Sequence, residues 1–196
     1  MRNPERTREK ILKKSGILFN TQGYKATSIS NITDATGFTK GAIYKHFRSK
    51  DELERESLSH LSFQMFDKLR GVVQGEPTAG KKLTAIFRFF GSYVTDPPLK
   101  GGCPLLNVAI ESDDTSPALR KEAVKMLNIL RDSLIKVIEN GIRHNQIIPG
   151  IDKEYYATLI IASLEGAIMM GKLRGDNHDI RRVISHLEDM VKKIEM

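Results

Sequence analysis

The sequence predicts an all-α protein with a small N-terminal helix-turn-helix domain and a larger C-terminal helical bundle. Apolar residues recur at helical spacing along nearly the whole chain, and Gly, Pro and Asn divide this pattern into about nine helices. We find no convincing pattern for a β-strand. At 196 residues the chain is long enough for one small module and one larger core.

The positive charge of the chain is confined to its first quarter. Residues 1–50 contain 11 Lys and Arg against 3 Asp and Glu, or +8, whereas the other residues sum to −1. Such an asymmetry is expected when one module binds a polyanion and the remainder has another task. A solvated basic face would explain the charge equally well, so charge alone does not assign a function.

Several classes of protein are disfavoured by composition. No segment reaches the roughly 18 unbroken apolar residues of a membrane helix, and the charged N-terminus lacks the apolar core of a secretory signal. We therefore expect a cytoplasmic protein without a membrane partner. The single Cys103 and five scattered histidines show no disulfide or metal-ligand pattern, so we expect no metal and no cofactor. Cys103 is interpreted either as a small buried residue or as a redox-sensitive thiol.

Caps and stops place the helices. Asn3 caps a first helix that has Pro4 at its first position and ends at Gly23. The capping box at 49–52 opens a long helix that ends at Gly71. The remaining helices outside the helix-turn-helix are predicted at about 77–93, 103–111, 116–144, 152–174 and 179–194.

Residues 28–47 predict a helix-turn-helix. Thr27 or Ser28 caps a short helix that ends at Gly37, and Thr39 caps a second short helix that runs through Phe47. Glycine fits at position 37 because a left-handed backbone there ends the first helix and lets the second cross it steeply. The apolar side of the pair consists of Ile29, Ile32, Ala35, Phe38, Ile43 and Phe47.

The other side of the second short helix suits the major groove of DNA. Gly41 and Ala42 allow the backbone to approach closely, and Lys40 and Lys45 can donate hydrogen bonds to guanine or to phosphate. The groups expected to contact phosphates are the side chains of Tyr44, His46 and Lys50 and the N-terminal backbone of both short helices.

The first 55 to 60 residues resemble the DNA-binding domain of the TetR family of bacterial transcriptional repressors. The strongest signal is the run Lys-Gly-x-Ile-Tyr-x-His-Phe-x-x-Lys at 40–50, correctly spaced after Thr-Ser-Ile at 27–29 and after Gly37. The resemblance implies a TetR-like fold with a DNA-binding domain at about 1–60 and a ligand-binding and dimerisation domain at 61–196.

The resemblance also implies roles for individual residues. Base readout is implied for Thr39, Lys40, Gly41, Ala42 and Lys45. Phosphate contacts are implied for Thr27, Ser28, Tyr44, His46 and Lys50. Thr33 and Phe38 stand where the family often has alanine and valine, and we expect these differences to affect the packing between the short helices more than the contact face.

For the C-terminal bundle, the resemblance implies a homodimer in which the last two helices, about 152–174 and 179–194, pair across a twofold axis. Both helices carry many apolar positions. Small residues on the first would permit a neighbouring helix to approach closely: Ala157, Ala162, Ser163, Gly166 and Gly171. A dimer would place two reading heads on successive major grooves, roughly 34–36 Å apart. The alternative is that these residues form the core of a monomer.

The resemblance further implies a small-molecule effector bound within the bundle. Candidate lining residues are Phe66, Phe87, Phe90, Tyr93, Leu106, Asn107, Ile110, Met126, Leu130 and Leu164. Each of them is equally compatible with an ordinary place in the core. The sequence identifies the effector only as a small, partly apolar molecule.

These observations predict a ligand-responsive repressor that binds double-stranded operator DNA of palindromic sequence and is released by its effector. A helical-bundle enzyme is the first alternative, but the chain lacks the common catalytic motifs, and Glu56 and His60 are simply an i,i+4 pair; we expect no catalytic residues. The second alternative is an architectural protein that coats many DNA sites without an effector.

Overall fold

The computed structural model describes residues 3–112 and 116–196, and within them it confirms the all-α fold. These residues form nine α-helices and no strand; an isolated antiparallel bridge joins Ile147 to Glu195. The helices are α1 (Pro4–Gln22), α2 (Ile29–Thr36), α3 (Lys40–Tyr44), α4 (Lys50–Gln74), α5 (Ala79–Thr95), α6 (Pro104–Ser112), α7 (Pro117–Arg143), α8 (Lys153–Arg174) and α9 (His178–Lys192).

The chain divides into two compact units. The first contains Met1–Met65 and Leu99–Met126, and the second contains Phe66–Pro98 and Leu127–Met196. The first unit therefore contains the helix-turn-helix together with α6, which begins more than 50 residues further along the chain. This grouping differs from a single boundary near residue 60, because α6 and the loop before it are bonded to the end of α1.

Two polar links join α6 to α1. The side-chain amide of Asn20 donates to the carbonyls of Lys100 at 2.8 Å and Gly102 at 2.9 Å. The Glu111 carboxylate accepts from the backbone N–H groups of Tyr24 at 2.7 Å and Lys25 at 3.2 Å. These bonds satisfy two backbone carbonyls in the loop before α6 and two backbone N–H groups in the turn between α1 and α2.

The short helices of the first unit begin and end as their caps dictate. Ser28 caps α2: its hydroxyl accepts from the N–H of Asn31 at 3.2 Å, and the Asn31 side chain accepts from the N–H of Ser28 at 2.8 Å. Gly37 ends α2 with φ of +72°, in the left-handed region that a residue with a Cβ adopts only at a cost. Thr39 caps α3.

Several predicted helix bounds and one predicted cap contact differ from the structure. The helix α3 ends at Tyr44 instead of Phe47, because the chain tightens into a turn in which the N–H of His46 bonds the carbonyl of Ile43. The helix α4 continues past Gly71 to Gln74, and α5 begins at Ala79 because Thr78 caps it. At the start of α4, the Glu52 carboxylate accepts from the N–H of Arg48, not from that of Ser49.

In the second unit, α5, α8 and α9 pack against one another. Phe89, Phe90 and Tyr93 of α5 form an aromatic cluster with ring centroids 5.7–5.9 Å apart. Gly91 of α5 lies against Ile184 of α9 so closely that an added Cβ would be 2.6 Å from its Cδ1 atom. A methyl group at position 91 would therefore have to displace the end of the Ile184 side chain.

Replacing Glu111 with alanine should destabilise the first unit by about 2 kcal/mol, because two backbone N–H groups lose a charged acceptor. Ile110→Ala is a matched control, since the neighbouring Ile110 side chain is 75% exposed and its loss should cost within about 0.5 kcal/mol. Urea unfolding followed by circular dichroism measures both. Equal stability of the two variants would show that the carboxylate link contributes nothing.

Candidate nucleic-acid interface

The helix α3 is held by two buried apolar side chains, one within the helix and one in the turn that follows it. Ile43 and Phe47 are fully or almost fully buried, and Ile32 of α2 is buried beside them in the same core. The Thr39 hydroxyl accepts from the N–H of Ala42 at 3.2 Å and so fixes the first turn of α3. The opposite side of α3 consequently projects away from the core.

We call that outer side, together with the cap residue and the two residues that follow the helix, the α3 surface. It consists of Thr39, Lys40, Gly41, Ala42, Tyr44, Lys45 and His46. Most of these residues are exposed, whereas Ala42 and His46 are half-buried. The ammonium group of Lys40 lies 5.9 Å from the ring centroid of Tyr44. The structure thus brings seven of the ten predicted DNA-contacting residues together on one short, cationic surface.

Gly41 has no packing role within the described structure. A Cβ added to it would meet no atom within 4 Å, and its backbone is helical. Alanine stabilises helix interiors relative to glycine by about 0.5–1 kcal/mol, so glycine is the less stable choice here. A glycine at the centre of the α3 surface therefore suits close approach by another molecule.

Thr27 and Ser28 are placed differently from the α3 surface. Thr27 is completely buried, and its hydroxyl donates to the carbonyl of Gly23 at 2.7 Å. This burial gives the Thr27 side chain a structural role, in contrast to the phosphate contact that the resemblance implies. Ser28 is exposed, but its hydroxyl already serves the cap of α2.

Lys50 is engaged within the first unit. Its ammonium group donates to the carbonyl of Tyr24 at 2.9 Å and pairs with Glu54 at 3.1 Å. Burial raises the pKa of Glu54, although Lys50 opposes that shift. Burial also raises the pKa of Tyr24, with further contributions from the charges of Glu111 and Glu54. A phosphate contact by Lys50 would have to compete with these partners.

Two cations of α1 lie over aromatic rings at the edges of the helix-turn-helix. The Arg8 guanidinium is 5.1 Å from the ring centroid of Phe47 and also pairs with Glu56. The Lys10 ammonium is 4.9 Å from the ring centroid of Phe38. No DNA contact was predicted for Lys10, because one lysine in a charged helix carries no distinguishing signal for such a role.

The candidate effector-binding residues divide between the two units. Phe90, Leu130 and Leu164 line a narrow cavity in the second unit, and Phe87 and Tyr93 are buried in the same unit, where Phe66 is half-buried. Four others belong to the first unit: Leu106 and Asn107 are half-buried, Met126 is buried and Ile110 is 75% exposed. The Asn107 amide donates to the backbone and side chain of Asn20.

Two family models match the chain. Residues 11–56 match the model described as "Bacterial regulatory proteins, tetR family", and residues 79–187 match "Tetracyclin repressor-like, C-terminal domain". The chain belongs to the TetR family. It is accordingly a DNA-binding transcriptional regulator, and the α3 surface lies within the matched DNA-binding module.

Individual TetR-family members and structures agree with this assignment. A TetR transcriptional regulator from Chloroflexus aurantiacus is 34% identical, with a TM-score of 0.94 and coverage of 100% of this chain and 98% of that one. A helix-turn-helix regulator from Lactococcus lactis subsp. lactis is 26% identical over 98% of this chain and 96% of its own length. The cysteine mutant of the TetR-family regulator CifR, solved with 26-base-pair operator DNA, shares the fold at 22% identity, with a TM-score of 0.79 and coverage of 95% of both chains.

Gly41→Ala should raise the stability of this TetR-family protein by about 0.5–1 kcal/mol, because the added methyl group meets no described atom of the chain. It should weaken DNA binding about tenfold, because we expect the DNA backbone or bases to approach α3 closely at this position. Gly37→Ala is the contrasting variant. Because the backbone at position 37 has a φ of +72°, which disfavours a residue with a Cβ, this variant should lose about 1 kcal/mol of stability. Circular dichroism and anisotropy of a labelled duplex give the two quantities. Undiminished DNA affinity of Gly41→Ala would argue against close approach at α3.

Proposed function

We propose that this protein is a homodimeric, cytoplasmic repressor that binds a palindromic operator through α3 and is released by a small, partly apolar effector. The observation that carries the proposal is the α3 surface. There Gly41, which packs against nothing in the described chain, lies among exposed hydrogen-bond donors, and buried apolar side chains hold the helix in place. The match of the C-terminal part to a tetracycline-repressor-like domain supports repression. The operator complex of CifR supports operator binding by this fold.

A dimer is supported by the outer face of α8. Five residues at helical spacing form an apolar or small stripe: Tyr155, Ala162, Gly166, Met169 and Leu173. Tyr155, Met169 and Leu173 are 58%, 44% and 81% exposed, and a Cβ added to Gly166 would meet no atom within 4 Å. We infer that a second copy of the chain covers this stripe, because a twofold axis lets one stripe meet itself.

The composition of α8 agrees with such burial. Judged by length and composition alone, the helix is long and apolar enough to cross a membrane. Only 33% of its most apolar 18-residue window is buried within the chain. In a family of DNA-binding regulators, a protein partner is the better explanation for so much uncovered apolar surface. The unburied part of α8 is then the surface that dimerisation removes from water.

Met169→Glu should convert the dimer to a monomer and weaken binding to a palindrome, because it places two carboxylates against each other across the twofold axis. Ile129→Glu on α7 is the control, since Ile129 is similarly exposed (48%) but lies off the α8 stripe. Sedimentation velocity reports the oligomeric state. A wild-type monomer, or a dimer that Met169→Glu leaves intact, would contradict the proposed interface.

The effector site that we propose lies between α5, α7 and α8 in the second unit. Its lining is apolar apart from one carboxylate: Ile86, Phe90, Leu130, Leu134, Ile160, Ile161, Leu164 and Glu165. The cavity has room for about one water molecule. An effector could enter only if these helices separate, and such a movement is what ligand-dependent release of DNA requires.

A gel shift with the region upstream of its own coding sequence, and with palindromes selected from a random library, tests the proposal. The protein should retain a few sites against excess competitor DNA. Uniform binding to every duplex would favour an architectural protein, and no binding would overturn the function.

Among variants of the α3 surface, Tyr44→Ala should weaken binding to all duplexes by a similar factor, because we assign its hydroxyl to phosphate. Lys40→Ala should instead change the preference among sequences, with about 1–3 kcal/mol at each base pair it contacts. Lys125→Ala on α7 serves as the control for the loss of one exposed lysine. Affinities for a set of single-base operator variants separate the two roles, and equal losses on every sequence would reverse the assignment of Lys40.

A further inference from the structure

Lys10 occupies a specific place beside the α3 surface. Its side chain is exposed on α1, and its ammonium group lies 4.9 Å from the ring centroid of Phe38. Phe38 is the residue between Gly37, which ends α2, and Thr39, which caps α3. The ring therefore holds a cation next to the first residue of the α3 surface.

The neighbouring cations of α1 are arranged differently. The charge of Arg8 is balanced by Glu56 of α4. Lys13, one turn further along α1, lies close enough to α4 for its charge to lower the pKa of His60. For Lys10, the contact with Phe38 is the one interaction found among residues 3–112 and 116–196, and it leaves the outer side of the ammonium group open to water.

We propose that Lys10 is a further phosphate-binding residue of the DNA interface and that Phe38 is its positioning residue. The inference rests on the proposed operator binding through α3. An ammonium group on α1, outside the groove-facing helix, is suited to the DNA backbone because a lysine acts as a point charge and needs no particular base edge. The aromatic ring limits the positions of a flexible side chain without neutralising its charge.

The contact with Lys10 depends on the aromatic ring of Phe38. Valine, which often stands at the corresponding place in the family, has no π-face for the ammonium group. The phenylalanine was expected to affect mainly the packing between the short helices. The structure gives it a second contact, with a cation from a different helix.

The test is the salt dependence of DNA binding by the full chain. The probe is a duplex that wild-type protein selects from a random palindrome library, titrated at 50–200 mM salt. Each phosphate contact contributes about 0.9 to the slope of log affinity against log salt concentration. Lys10→Gln should therefore reduce the magnitude of the slope by about 0.9 for each bound head, or about 1.8 for a dimer with two heads on one site.

Lys13→Gln is the matched control, because it removes the same charge from the same helix, one turn away from Lys10. Its slope should equal that of the wild type. Phe38→Val should give part of the Lys10→Gln effect, and the double variant should lose no more slope than Lys10→Gln alone. Phe38→Leu, which also lacks an aromatic ring, should give the same slope as Phe38→Val. Circular dichroism of both variants shows whether either has a folding defect.

The outcomes separate this inference from the proposed function. A wild-type slope for Lys10→Gln, with weakened binding by Tyr44→Ala, would overturn the role of Lys10 and leave operator binding intact. Equal slope losses for Lys10→Gln and Lys13→Gln would show a general effect of charge and overturn the specific contact. Additive losses for Lys10→Gln and Phe38→Val would overturn the positioning role of Phe38. Failure of the wild type to select any duplex would overturn both proposals.

Discussion

The α3 surface depends on the burial of Ile43 and Phe47. The helix α3 has five residues, which is too short for a helix to persist in water by its own hydrogen bonds. Its direction is therefore set by the two apolar side chains that enter the core of the first unit and by the left-handed turn at Gly37. Every contact that we assign to DNA presupposes that these anchors hold.

Much of the fold was predictable because caps and apolar periodicity are local signals. Asn3 and Asp152 cap their helices as predicted, and Gly37 ends α2 in the expected conformation. The grouping of α6 with the N-terminal module was not predictable, because it arises from hydrogen bonds between residues more than 80 positions apart. No periodicity in the sequence records such a pairing.

The candidate site shows the same division between local and long-range information. The register of 39–46 could be predicted because one motif fixes which residues share the outer side of α3. The burial of Thr27 and the engagement of Lys50 by Glu54 could not, because each depends on a partner that only the folded chain supplies. Lys10 is the converse case, since an unremarkable position in α1 becomes significant through the ring of Phe38.

The link between α6 and α1 bears on how regulators of this kind could be recombined. A chimera that joined residues 1–60 to a foreign bundle would leave the Asn20 amide without the carbonyls of Lys100 and Gly102, and the N–H groups of Tyr24 and Lys25 without Glu111. The transplantable module is therefore discontinuous: it includes the segment around α6 as well as the N-terminal helices. Exchange of sensing domains, in the laboratory or in evolution, has to preserve this pair of segments or supply equivalent acceptors.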